Sequence, residues 1–174
     1  SHGGARAPNM EKPTKVIGNL PYNLTSPILR RLSEWEGWSD GVIMVQKEVG
    51  DRLVANVGTR EYGALTAGMS LSCAMERVFD IPPAFFRPPP KVFSSVIKIK
   101  RLDTPLTPNI GRTQKVIQAA FQQRRKMVLN SLSHGLNMEK KRVEALLKKC
   151  GISPASRAEN LSSRDFVSLA DNMQ

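Results

Sequence analysis

Cysteine, histidine and acidic side chains are all scarce in this sequence, and each scarcity removes a class of function. Two cysteines, Cys73 and Cys150, cannot build a disulfide framework. With only His2 and His134 beside them, they offer no metal site of the usual ligand spacing. Long apolar runs are missing too: none approaches the roughly 20 residues that a membrane-spanning helix needs, and no secretory-signal pattern opens the chain. Against 26 Lys and Arg stand only 15 Asp and Glu, for a formal net charge of +11 and a sequence pI near 10.1. So basic a chain favours a polyanionic partner, and nucleic acid is the commonest one. The 174 residues, 40% apolar and 24% charged, have the composition of a globular protein, which excludes wholesale disorder. That length suffices for one core, or one and a half small ones.

Ser1-His2-Gly3-Gly4 reads as the remnant of a cleaved purification tag and Ala5 to Pro13 as an aperiodic lead. Beyond it come two short apolar runs, Lys15 to Gly18 and Val42 to Gln46. The second is apolar on successive residues, the pattern of a strand covered on both faces in a parallel sheet between helices. Between them Ser26 is placed to cap a helix whose first position is Pro27. Ile28, Leu29, Leu32 and Trp35 line one face of it, and Gly37 sits where a left-handed stop is wanted. Strand, helix, strand is the right-handed crossover unit of an α/β domain. A second helix is expected over Glu48 to Val54, ending in the loop Asn56-Val57-Gly58-Thr59, and further strands over Leu65 to Ala74 and Ser95 to Lys100. Ile81 to Pro90 holds five prolines in ten positions and is expected to be stiff and irregular.

After Arg101 the texture changes. Residues 103–108 read as a linker, and from Gly111 onward every periodic segment is helical. Val116, Ile117, Ala120 and Phe121 form one apolar face, Val128, Leu129 and Leu132 a second, and Val143, Leu146, Leu147 and Cys150 a third. Ser162 begins a last helix, with Asp165 three residues on in the first turn. Residues 1–108 carry 14 basic and 10 acidic side chains, net +4, whereas residues 109–174 carry 12 and 5, net +7. The helical tail is the more cationic part.

Asn19-Leu20-Pro21-Tyr22 follows directly on the first strand, and in open α/β sheets ligands bind beyond the carboxyl ends of strands. By itself the tetrapeptide also suits an ordinary strand-to-helix turn. It resembles the Asn/Asp-Pro-Pro-Tyr/Phe motif of methyltransferases that act on exocyclic amino groups. Such an amine is a poor nucleophile because its lone pair is delocalised into the ring. The Asn19 amide oxygen and the Leu20 carbonyl can accept its two hydrogens and bias the nitrogen toward an attack-ready geometry, with Pro21 fixing the turn. Tyr22 offers a flat face for an extruded base.

Phe86-Arg87-Pro88-Pro89-Pro90-Lys91-Val92-Phe93-Ser94 resembles the Phe-x-Pro-x-Pro-x-Val-x-Ser segment of the ribosomal RNA adenine dimethyltransferases. Gln46-Lys47-Glu48-Val49 with Asp51-Arg52-Leu53, Phe121 to Lys126 with Asn130-Ser131-Leu132, and Pro154 with Arg157 to Ser162 resemble other stretches of that family. The resemblance implies an α/β fold: the carboxyl-terminal part of a Rossmann-like methyltransferase sheet over residues 14–102, its first strands missing, followed by a small all-helical domain over 109–174. It implies S-adenosyl-L-methionine as cofactor, contacted by Asn19, and a catalytic turn formed by Asn19, Leu20, Pro21 and Tyr22. Tyr22 and Phe86, rather than Phe85, would stack on the target base. It further implies dimethylation of two adjacent adenosines near the 3′ end of small-subunit rRNA, with the 30S subunit as partner, no metal, no membrane and a cytoplasmic location. Lys91, Arg124, Arg125, Lys126 and Arg157 are the expected RNA contacts, the three adjacent cations opening a helix. Those three also fit a plain solvated helix face.

The parent enzymes begin with a strand and a Gly-x-Gly turn that holds the cofactor, then an acidic residue for its ribose. No Gly-x-Gly occurs here, and the tetrapeptide, normally much further along, stands at Asn19. The chain is therefore expected to be a carboxyl-terminal portion, inactive alone. A non-catalytic RNA-binding or ribosome-assembly module is the alternative reading for such a portion. A DNA adenine methyltransferase shares the tetrapeptide but not the helical tail. The antibiotic-resistance methyltransferases of large-subunit rRNA are nearer rivals, although the Pro88 to Val92 run and the tail fit the small-subunit enzyme better.

Overall fold

Period-two burial in four segments sorts the described residues between 14 and 101 into a sheet with helices on one face. The computed structural model describes residues 14–21 and 23–173; the expected tag remnant and lead at 1–13, and Tyr22, lie outside the described residues. Strand β1 (Thr14–Asn19), helix α1 (Thr25–Glu34) and strand β2 (Trp38–Gln46) make the expected strand–helix–strand unit, with β1 and β2 parallel and Ile17 opposite Val42. Helix α2 (Lys47–Leu53) follows at once, then α3 (Ala64–Met69), β3 (Cys73–Ile81) and β4 (Ser94–Arg101). The strand order is β1-β2-β4-β3, and β4 runs antiparallel to both its neighbours.

The sheet is therefore mixed, not the parallel sheet expected from the apolar run in β2. The reason lies in the connection: residues 82–93 hold five prolines and no crossover helix, so β4 returns beside β3 antiparallel. Ile43, Val45, Ile97 and Ile99 pack beneath Leu29, Leu32, Leu53 and Met69. On the opposite face Ile17 is 88% exposed and Val42 43%, so among the described residues the run in β2 is covered on one face rather than two.

Two local expectations change in α1. The helix begins at Thr25, with Leu24 at its cap, and Ser26 makes no capping bond. Thr25 Oγ1 instead donates to the Pro21 carbonyl at 2.9 Å, anchoring the helix to the turn before it. Gly37 is not left-handed; the helix stops because Trp35 turns extended. A Cβ at 37 would stand 2.5 Å from the Trp35 indole nitrogen, so any larger residue there requires that ring to shift.

The segment expected as a strand from Leu65 to Ala74 is instead α3 followed by the start of β3. Its apolar residues are buried on two sides. Leu65 and Met69 join the sheet-side core, while Ala64, Ala67 and Leu71 join the core of the tail. Two apolar faces in six residues hide a helical period and imitate a buried strand.

The tail folds as α4 (Ile110–Phe121), α5 (Val128–Gly135), α6 (Lys140–Lys149) and α7 (Ser163–Asn172), with their faces meeting as the periodicity indicates. Ser162 caps α7 with Asp165 in a reciprocal box: Ser162 Oγ accepts from the Asp165 amide at 3.2 Å, and Asp165 accepts from the Ser162 amide at 2.7 Å. Residues 102–107 are strapped to the sheet layer: Leu102 N–H donates to the Ser72 carbonyl and Leu106 N–H to that of Leu71, each at 2.8 Å. Side chains complete the joint. Arg30 Nε donates to Gln114 Oε1 at 3.0 Å, Gln114 Nε2 donates to Ser33 Oγ at 2.8 Å, and Tyr62 O–H donates to the Leu161 carbonyl at 3.0 Å.

Two glycines mark the closest approaches between elements. A Cβ at Gly50 of α2 would lie 2.6 Å from Ser95 Cβ of β4, and one at Gly135 of α5 would lie 2.7 Å from Ala119 Cα of α4. Neither obstacle is the far end of a flexible side chain, so the elements themselves must part. Gly50→Ala is expected to lower unfolding free energy by about 1–3 kcal/mol in urea titrations, the usual cost of overpacking. Ala at exposed Gly111, where no atom lies near, leaves it unchanged or slightly raised.

Candidate active site and nucleic-acid interface

Strand register brings the expected catalytic segments to one end of the sheet. Asn19 ends β1 opposite Met44, while Gln46 at the end of β2 and Ile81 at the end of β3 both face Ser94, the first residue of β4. The tetrapeptide and the proline-rich loop 82–93 therefore leave the sheet at the same end. At the usual interstrand spacing, β4 and β1 stand about 10 Å apart with β2 between them. Asn19 and Pro21 are exposed, and Leu20 is held by its N–H donating to the Met44 carbonyl at 3.0 Å. The Pro21 carbonyl accepts from the Leu24 amide at 3.0 Å as well as from Thr25, so the turn is fixed from within. Tyr22, expected to stack on a base, lies outside the described residues.

The loop opposite is equally constrained. Residues Pro83–Phe85 form a 3-10 turn in which the Phe85 amide donates to the Pro82 carbonyl at 3.2 Å and the Phe86 amide to that of Pro83 at 3.0 Å. At the far end of the loop the Lys47 amide donates to the Phe93 carbonyl at 2.9 Å. Phe86 is half-buried, while Phe85 is 80% exposed and Phe93 44%.

A charged cluster beneath this end was not anticipated as part of the site. Lys47 Nζ reaches both Asp51 oxygens at 3.0 and 3.1 Å; Arg77 pairs with Asp51 and, at 3.5 Å, with Asp80; Ser95 Oγ donates to Asp80 at 2.5 Å. The cluster ties α2 to β3 and to the start of β4, directly below the loop. Burial alone would raise the Asp51 carboxyl, but hydrogen bonds from Arg77 and Lys47 outweigh it and hold the group below its usual range. The i,i+4 spacing of Lys47 and Asp51 was visible in the sequence; Arg77 was not assignable without the register of β3. Burial also pushes the Cys73 thiol up, so it is no ready nucleophile.

The three adjacent cations open no helix. Residues 122–126 form the turn between α4 and α5. Arg124 folds back: its Nη2 donates to the Arg60 carbonyl at 2.8 Å, the Tyr62 carbonyl at 2.9 Å and Glu159 at 3.4 Å. Arg125 and Lys126 stay exposed. Arg157, also exposed, is carried beside them, because the Val128 amide donates to the Ser156 carbonyl at 2.7 Å. Lys91 is exposed on the separate proline-rich loop. Between α1, α3 and α4 opens a cavity of about 510 Å³ whose rim includes Ser26, Arg30, Arg52, Gln118 and Arg124. Among the described residues no group of three metal-ligating side chains occurs, and no helix is long and apolar enough to cross a membrane.

Two expectations follow. Because its folded value is lowered, ionised Asp51 contributes stability that is full above the ordinary carboxylate range and is lost as pH falls through the folded value, below about pH 4. Asp51→Asn is therefore expected to flatten the fall of the denaturation midpoint between pH 5 and pH 3; an unchanged acid limb would show that the pairing contributes nothing. Arg124→Ala removes two hydrogen bonds that join the tail to residues 60–62, and one to Glu159 within the tail, and is expected to cost about 1–2 kcal/mol in urea. Arg125→Ala, at an exposed site, stays within about 0.5 kcal/mol.

Comparison with known proteins gives the family and the fold. The family model described as ribosomal RNA adenine dimethylase matches residues 6–174. The chain is 42% identical over 159 residues to the ribosomal RNA small subunit methyltransferase A of Caldanaerobacter subterraneus subsp. tengcongensis, spanning 90% of this chain and 59% of that protein. It is 40% identical over 164 residues to the protein of that name in Agrobacterium fabrum, spanning 92% and 57%. The chain thus spans a little over half the length of these curated relatives. Among solved structures it resembles a dimethyladenosine transferase from Plasmodium falciparum, with TM-score 0.76 and 28% identity over 92% of this chain and 67% of that one. The 23S rRNA methyltransferase ErmE, at TM-score 0.64 and 22% identity over 95% and 67%, shares the fold. This chain belongs to the ribosomal RNA adenine dimethylase family.

Proposed function

We propose that the protein to which this chain corresponds dimethylates the N6 amines of two adjacent adenosines near the 3′ end of small-subunit rRNA, in the cytoplasm and on the 30S subunit. The observation that carries the reading is the meeting of two family segments, Asn19 to Pro21 and the Phe86 loop, at one end of the sheet, in a chain whose tail concentrates a net +7. In this reading the catalytic domain runs from 14 to 102, the tie at 103–108 leads out of it, and residues 109–174 dock on rRNA.

Asn19 Oδ1 and the Leu20 carbonyl each accept one hydrogen of the adenine amine, localising the nitrogen lone pair for attack. Tyr22 and half-buried Phe86 close on the two faces of the extruded base. S-adenosyl-L-methionine, when bound, supplies the methyl group. The donor set in this chain does not fit that cofactor by itself: at the end of β1 it offers the Asn19 amide, and no Gly-x-Gly turn occurs in the sequence. Calorimetry is accordingly expected to show no tight S-adenosylmethionine binding to these 174 residues.

A second reading, an RNA-docking module, is favoured for the chain taken alone by exposed Arg125, Lys126 and Arg157 beside one another. The two readings are compatible, and they divide by experiment. The 174-residue chain is expected to bind structured small-subunit rRNA with an affinity that falls steeply between low and moderate salt. The double change Arg125→Ala, Lys126→Ala is expected to flatten the log–log salt slope by about two units with the circular-dichroism spectrum unchanged. An unaltered slope would return both residues to the solvent. In the enzyme that carries this segment, Asn19→Ala is expected to lower single-turnover methylation far more than RNA affinity, because its contact matters most as the amine becomes nucleophilic.

A further inference from the structure

The loop between β3 and β4 carries an aromatic ring that the base pocket does not use. Phe85 is 80% exposed, next to half-buried Phe86, and belongs to neither core. Both ends of the loop are pinned: the 3-10 turn hydrogen bonds fix residues 82–86, and the Lys47 amide fixes Phe93. Five prolines stiffen the span. An exposed phenyl group on so rigid a support keeps apolar area in water without the freedom to hide it, and little entropy remains to be lost when something covers it. Arg87 and Lys91 on the same loop are exposed, with no acidic residue between Ile81 and Arg101 to neutralise them. Phe93 and Val92 are also partly exposed there. Aromatic faces interleaved with cations form the platform on which single-stranded nucleic acid lies, bases on rings and phosphates on cations. A peptide partner of opposite charge would use the cations but has no need of a bare ring on a stiff support.

We propose that Phe85 is a stacking platform for the nucleotide adjacent to the one being modified, with Arg87 and Lys91 taking its flanking phosphates. The proposal rests on the RNA reading above and deepens it: Phe86 belongs to the target base, Phe85 to its neighbour. Holding the neighbour on a separate ring keeps the strand in register at the end of the sheet while one adenine is withdrawn. Because Phe85 supports nothing in either core, its removal leaves the fold intact.

The test uses the 174-residue chain and two short unstructured RNA oligonucleotides containing adjacent adenosines, 2-aminopurine replacing one adenosine or the other. Anisotropy gives affinity and the fluorophore reports stacking. Phe85→Ala is expected to weaken binding about 5- to 100-fold and to relieve quenching at one of the two positions only, whereas Phe85→Trp restores both. The salt slope stays unchanged in Phe85→Ala, because stacking releases no counterions, and is reduced in Arg87→Ala. Affinity and quenching in Phe85→Ala equal to those of the unsubstituted chain, with its steep salt slope intact, would overturn this inference and leave the RNA reading standing. No binding of either oligonucleotide by the unsubstituted chain would overturn this inference, and no binding of structured small-subunit rRNA would overturn the RNA reading as well.

Discussion

Helix α3 is buried from two sides at once, and the relation between the sheet and the tail depends on that. Leu65 and Met69 face one core, Ala64 and Ala67 the other, so neither layer can move without uncovering apolar surface in both. Polar joints then set the register between the layers. Gln114 is buried with both polar atoms engaged, receiving Arg30 and donating to Ser33, and Ser163 Oγ of α7 donates to the Ala67 carbonyl of α3 at 3.1 Å. A buried amide with one partner removed keeps its desolvation cost, so these bonds specify one arrangement more than they add stability. An RNA held by both the tail and the sheet end needs that fixed relation, since a shift of either layer misplaces one set of contacts.

How much of this was legible in the sequence follows from what each segment had to do. The first strand, α1, β2 and the four tail helices each bury a single face or run, and their periodicity shows it. The capping box at Ser162 and Asp165 is local chemistry and was readable as such. Residues 65–74 were misleading because a segment buried on two sides has no polar face to mark its period. The apolar run in β2 suggested two covered faces, yet among the described residues only one is covered, with Ile17 and Val42 open on the other. The antiparallel entry of β4 was legible only in retrospect, from a connection too proline-rich to contain a helix.

The site divides in the same way. Asn19, Leu20, Pro21, Phe86 and Lys91 could be singled out because their residue types suit the proposed chemistry, and the sheet register brings their segments to one end. The support beneath them could not be singled out. Asp51, Arg77 and Asp80 come from two elements that meet only when β3 pairs with β4, and nothing in the spacing from Asp51 to Arg77 announces the contact. Support of this kind is not incidental to function. A pocket held within a fraction of an ångström needs its loops locked from below, and a charge cluster under the β4 entry does that where backbone bonds run out.

Charge alone is a poor guide to contact. Three consecutive cations at 124–126 look equivalent in sequence, but a turn gives each a different direction, and Arg124 is drawn inward by two carbonyls and Glu159. The planar guanidinium suits this, since one nitrogen can serve several acceptors while the charge stays partly exposed. That bond set also fixes residues 60–62 against the α4–α5 turn, and the neighbouring Gly58 amide donates to the Glu159 carbonyl at 2.8 Å. Arg124 therefore spends its donors holding the surface on which Arg125, Lys126 and Arg157 stand. In a basic motif of this kind the inward cation positions and the outward ones keep their charge in the solvent, where the proposed RNA contact would need it, so adjacent cations carry two different physical roles.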